Sequence, residues 1–123
     1  MSRAVAHDPQ AISRQLAEMA FHEIAPFNDG HAGVFWSEAG GPSPWEMHPE
    51  CDELLQVLEG TIELEILPTD PTGPSTLTRI PAGSLVVVPR GCWHRQTLLE
   101  KTREFYLTPG PTLHSQADDP RLR

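Results

Sequence analysis

Residues 9–20 (PQAISRQLAEMA) place Ile12, Leu16 and Met19 at helix-like intervals, and Asp8-Pro9 supplies a cap and a first-turn proline. This spacing predicts a short N-terminal helix. Beyond it the apolar residues alternate or fall in short runs, the pattern of half-buried and buried strands. Strands are expected over 20–24, 32–38, 45–48, 53–58, 61–67, 76–80, 85–88, 94–98 and 103–107. Glu59-Gly60 reads as a tight hairpin in which glycine is free to take positive φ. Residues 68–75 (PTDPTGPS) read as a turn-rich loop, Pro89-Arg90-Gly91 as a sharp turn, and the proline-rich segment after 108 as a tail that wraps the surface or frays.

Thirteen prolines and nine glycines in 123 residues reinforce an all-β reading, and the length suits one domain. Its expected parts are an N-terminal extension over 1–22 with the short helix, a β body over 23–108 and a C-terminal tail over 109–123. A net charge of −8 with no basic stripe argues against a nucleic-acid partner. No apolar run approaches the length of a membrane span or a secretory signal, so a cytoplasmic location without membrane association is expected. Cys51 and Cys92 lack a C-x-x-C spacing and read as free thiols, with a redox-sensitive pair as the minor alternative.

Candidate chemistry concentrates in two segments. In Trp45-Glu-Met-His48-Pro-Glu-Cys-Asp-Glu53, strand alternation puts Glu46 and His48 on one face. The turn over 49–52 then returns the chain so that antiparallel pairing sets Glu53 beside His48, with Leu55 and Val57 sharing its face. In the second segment, 83–94, an apolar strand ends in Pro89-Arg90-Gly91 and His94 follows on the return strand. If the two hairpins face one another, His94 completes a site with His48 and Glu53. Two imidazoles and a carboxylate suit one divalent transition metal, Fe, Mn, Ni, Zn or Co, without selecting among them.

These segments resemble the two motifs of the cupin superfamily. The first motif, G-x5-H-x-H-x3,4-E-x6-G, is met by Gly40, Glu46, His48, Glu53 and Gly60; the second, G-x5-P-x-G-x2-H-x3-N, by Gly83, Pro89, Gly91, His94 and Leu98. Together they span residues 40–98. The resemblance implies a single cupin-type antiparallel β-barrel, jelly-roll-like, over 23–108, and metal ligation by His48, Glu53 and His94. Two positions depart from the pattern: Glu46 replaces the first histidine and Leu98 the asparagine. Glu46 is open to two roles, a fourth metal ligand or a carboxylate that orients a histidine N–H. A second carboxylate would harden the site towards Mn or Fe(II).

Gln96 is expected to share the inward face of His94, and Trp45 and Trp93 to face away from the site. Which of Phe35 and Trp36 lines the interior is left open, and His7, His22, His31 and His114 are assigned no role. Outward Leu54, Leu58 and the tryptophan pair fit a homodimer. For function, the resemblance implies a metal-dependent enzyme, dioxygenase-like or otherwise, on a small organic substrate, with Glu46 or Glu53 adding general-base capacity. The alternative is a non-catalytic cupin that binds or senses a small ligand; a bare scaffold is disfavoured because buried chargeable groups are costly without a partner.

Overall fold

A computed structural model describes residues 3–122. The short helix α1 (Pro9–Ser13) precedes β1 (His22–Phe27), β2 (Gly30–Ser37), β3 (Trp45–Met47), β4 (Glu53–Glu59) and β5 (Thr61–Ile66). β6 (Thr76–Pro81), β7 (Leu85–Val88), β8 (His94–Leu98), β9 (Thr102–Thr108) and β10 (Leu113–Ser115) follow. The strands form two five-stranded antiparallel sheets, in the orders β1-β2-β9-β4-β7 and β10-β3-β8-β5-β6. Packed face to face, they make the all-β jelly roll that the resemblance implies.

Alternation decides what faces the interior. Along β4, Glu53, Leu55 and Val57 are buried while Leu54 and Gln56 are only partly so, and along β5 Ile62 and Leu64 are buried. These residues join Phe35, Ile80, Val88, Leu98 and Tyr106 in one core. Phe35 therefore points inward. Trp36 points out, where its indole N–H donates to the Leu16 carbonyl at 2.7 Å and the Lys101 and Arg103 side chains lie over its ring.

The N-terminal helix is shorter than the 9–20 periodicity predicts. Asp8 caps it by accepting from the Ala11 N–H at 3.1 Å, with Pro9 in the first turn. At its other end, contacts with the sheet replace helical continuation. The Arg103 guanidinium donates to the Ser13 carbonyl at 2.8 Å, and Trp36 takes the Leu16 carbonyl. Glu18 accepts from the Ser37 hydroxyl and the Glu38 N–H. Four tertiary partners thus hold the end of α1 and residues 14–18 as a strap rather than as further helix.

Two glycines set the approach to the site. Gly60 turns β4 into β5 with φ 91°, and a Cβ there would collide with the Lys101 carbonyl. Gly91 (φ 78°) closes the turn after β7, and its N–H donates to the His48 carbonyl at 2.8 Å. Beside it the Arg90 N–H donates to Asp52 Oδ1 at 2.9 Å. Both motif-bearing loops are thereby tied to each other. Cys51 is exposed and Cys92 half-buried, and both are free. Among the described residues no helix is long and apolar enough to cross a membrane.

Candidate metal centre

The strand registers deliver four side chains to one point. On one sheet β3 pairs with β8 so that Glu46 faces His94; on the other, Glu53 opens β4 opposite Val88. His48 follows β3 directly. Glu46, His48, Glu53 and His94 each offer an atom within 4.8 Å of the others, and such a group could hold a metal ion. His48, Glu53 and His94 are buried, whereas the Glu46 side chain is 42% exposed at the mouth of the cavity.

Glu53 is the hub. Its Oε1 lies 3.2 Å from Nε2 of both His48 and His94, and its Oε2 accepts from the Thr108 hydroxyl at 2.5 Å. Burial opposes ionisation of Glu53, but the close approach of His48 and His94, the Thr108 hydrogen bond and the His48 charge outweigh it and hold the carboxyl at about 2. For His94, burial favours the neutral ring, yet the bond to Glu53 and its charge raise the pKa, helped by the Cys92 carbonyl and Glu46.

The outer ring nitrogens decide how the inner ones behave. His94 Nδ1 is 3.3 Å from the Cys92 carbonyl, an acceptor, so Nδ1 carries the proton. A neutral His94 then turns the Nε2 lone pair towards Glu53 Oε1, and two acceptors 3.2 Å apart repel unless a cation or a proton lies with them. His48 Nδ1 is bonded to Thr112 Oγ1 at 2.9 Å, while its buried Nε2 makes no well-directed hydrogen bond. Two imidazoles with occupied outer nitrogens, their inner nitrogens turned to an ionised carboxylate, fit a divalent metal.

Glu46 is shared. Its Oε2 is 4.0 Å from His94 Nε2, while its Oε1 pairs with His114 Nε2 at 3.3 Å. The sequence pattern gives His114 no role; the structure brings it here because β10 pairs with β3, setting His114 opposite Glu46. The same tail brings Thr112 to His48. Nothing in the proline-rich stretch after 108 signals either contact. Thr108, by contrast, lies one strand period beyond Tyr106, and alternation carried past residue 107 would have found it.

A cavity of about 710 Å³ opens from this cluster. Its walls include Phe21, Phe35, Leu55, Leu64 and Tyr106, with Gln96 facing inward as expected. Phe21 stacks on Phe35 with ring centroids 4.7 Å apart, and Tyr106 meets Phe21 edge-on. Trp45 does face away, and the Arg95 guanidinium caps its ring at 4.2 Å. Glu104, which the sequence pattern does not single out, also lines the cavity. It is 1% exposed, and neither carboxylate oxygen has a hydrogen-bond partner.

Comparison with known proteins places this architecture. No protein-family model and no curated protein matches the chain. Among solved structures it is similar to a cupin-2 domain containing protein from Shewanella frigidimarina, at 26% identity over 82% of this chain and 90% of that one, with a TM-score of 0.61. It is also similar to the hydroquinone 1,2-dioxygenase PnpCD, solved with Cd2+ and 4-hydroxybenzonitrile, at 12% identity over 90% of this chain and 81% of that one, TM-score 0.64. Oxalate oxidase aligns at 26% identity over 64% of this chain but 40% of its own length, TM-score 0.53. The chain has the fold of the cupin superfamily.

Proposed function

We propose that this chain is a metal-dependent cupin enzyme acting on a small organic substrate, with His48, Glu53 and His94 as metal ligands. The observation that carries the reading is the arrangement of both Nε2 atoms at 3.2 Å from Glu53 Oε1 with both Nδ1 atoms otherwise engaged. Glu46 is the outermost donor, a weak fourth ligand that can leave the ion to take up a proton. Its carboxylate favours Fe(II) or Mn over the softer alternatives Ni, Zn and Co. When bound, such an ion supplies Lewis acidity or one-electron chemistry to a substrate oxygen.

The protein's own groups have separable tasks. Glu53, bonded to Thr108, flanked at 3.2 Å by both Nε2 atoms and held at about 2, stays ionised and serves as an anchor rather than a proton acceptor. The half-exposed Glu46, reaching both the site and His114, is the better general base. The aromatic and aliphatic walls exclude water and favour a partly apolar substrate. The dioxygenase and oxidase among the similar structures support a redox reaction on such a compound. The homodimer expected from the sequence is part of this proposal, supported by exposed Leu85 and Val87 on edge strand β7 and tested by sedimentation.

The test is elemental analysis of protein purified without a histidine tag, followed by oxygen-uptake and product assays with small aromatic and carboxylic acids. About one equivalent of metal is expected, lost in His94→Ala, with turnover that depends on it. Full metal content in a triple His48, Glu53, His94 alanine variant would overturn the site. Metal-dependent ligand binding without turnover would favour the alternative, a binding or sensing module.

A further inference from the structure

Glu104 stands apart from the metal cluster. It lies on β9 opposite Phe35 of β2 and Val57 of β4, four residues before the Thr108 that holds Glu53. Its surroundings are apolar, it is 1% exposed, and both carboxylate oxygens lack a partner. Gln96 faces it from β8 in the opposite sheet, and Gln96 Oε1 is likewise buried without a partner. Gln96 can serve one Glu104 oxygen with its amide N–H, which leaves the other Glu104 oxygen and Gln96 Oε1 side by side in one cavity wall, a place where something else can complete the bonding.

We propose that Glu104 and Gln96 form a specificity subsite for a neutral hydroxyl group of the substrate, on the cavity wall one strand period along β8 from His94. This rests on reading the cavity as the substrate pocket, and it adds a chemical class: a small, largely apolar molecule with an acidic or carbonyl group at one end and a hydroxyl at the other. A hydroxyl fits because it donates and accepts at once. The Gln96 amide N–H donates to one Glu104 oxygen, the protonated Glu104 carboxyl donates to the ligand oxygen, and the ligand hydroxyl donates to Gln96 Oε1. Burial, with a smaller contribution from the Glu53 charge, outweighs the favourable approach of Gln96 and pushes Glu104 up to about 8, so a neutral donor is available at neutral pH. An ammonium ligand would instead require two charges to be desolvated among apolar side chains.

The experiment compares binding of benzoate with that of its 3- and 4-hydroxy derivatives to the metal-loaded protein, by calorimetry or ligand-observed NMR. At least one hydroxybenzoate is expected to bind about ten- to a hundredfold tighter than benzoate, because only it satisfies the buried oxygens. Glu104→Leu and Gln96→Leu should reduce that ratio to about one while still binding benzoate. Glu104→Gln, which keeps a neutral donor and acceptor, should retain most of it. Benzoate bound without preference for either hydroxy derivative overturns the subsite and leaves the pocket standing, as does an unchanged ratio in Glu104→Leu. Failure of all three probes to bind a protein carrying its metal overturns the pocket reading and the subsite with it.

Discussion

Thr112 Oγ1 sits 2.9 Å from His48 Nδ1, so a residue of the C-terminal tail fixes the ring of a histidine of the proposed metal site. The bond sets which way the imidazole faces and leaves its Nε2 for the site. Thr112→Val keeps the shape and removes the bond. Metal affinity should fall about tenfold to a hundredfold, read by competition with a chromophoric chelator, whereas Thr112→Ser should stay near the parent. An unchanged affinity in Thr112→Val would show that the tail is packing only.

Glu53 and Glu46 should respond unequally to the same change. Glu53 is buried at 3.2 Å from both Nε2 atoms, while Glu46 is half-exposed and 4.0 Å from one of them. Glu53→Gln should abolish stoichiometric metal binding. Glu46→Gln should retain the ion with an affinity loss of about tenfold or less, while turnover falls further than affinity because a proton acceptor is lost. Metal titration and steady-state kinetics on the two variants separate ligand from base.

How far the sequence carries can be read from these residues. Strand alternation and the turn over 49–52 set Glu53 beside His48, but that His94 joins them was implied by the resemblance to the two cupin motifs, since alternation does not say that the two hairpins face each other. Leu55 and Val57 followed from the same period. The α1 strap was not legible: helix periodicity in 9–20 is local, and the Arg103 and Trp36 contacts that replace it come from strands far along the chain. The contacts of Thr112 and His114 depend on where a proline-rich tail pairs, which no periodicity encodes. Glu104 reads in sequence as an ordinary strand carboxylate, and only the register of β9 turns it inward.

Metal retention should weaken in acid. In the metal-free site the His94 pKa is raised: burial lowers it, but the Glu53 bond and charge more than compensate. A proton therefore competes for Nε2 at higher pH than for an ordinary histidine, and affinity should drop by about tenfold per pH unit once the pH is below the His94 pKa. Equilibrium dialysis between pH 8 and 5 checks the slope. A flat profile would mean that His94 is not a ligand.

Arg103 links the strap to the body. It is 6% exposed, pairs with Glu59 at 2.8 Å and donates to the Ser13 carbonyl at 2.8 Å. Arg103→Met preserves much of the packing but leaves that carbonyl without its donor. Because Glu59 is half-exposed and can rehydrate, the loss should be modest for a buried arginine, about 2 kcal/mol. Thermal unfolding should shift down by several degrees, and proteolysis should cut first within residues 3–20.

Glu104 makes stability depend on pH in the opposite sense to an ion-paired carboxylate. Its folded pKa of about 8 lies above the ordinary carboxylate value of 4.5, because burial among apolar side chains disfavours the charge; Gln96 opposes the shift and the Glu53 charge adds to it. Between those two values the folded chain holds a proton that the unfolded chain has released. This contribution to stability is complete below pH 4.5 and is lost as pH rises to about 8, at roughly 1.4 kcal/mol per pH unit. Glu104→Gln lacks the proton and therefore the slope. Measured by denaturant unfolding with chelator present, the variant should match the parent near pH 5 and exceed it by a few kcal/mol at pH 8. A constant difference between parent and variant across that range would mean that Glu104 does not hold its proton in the fold.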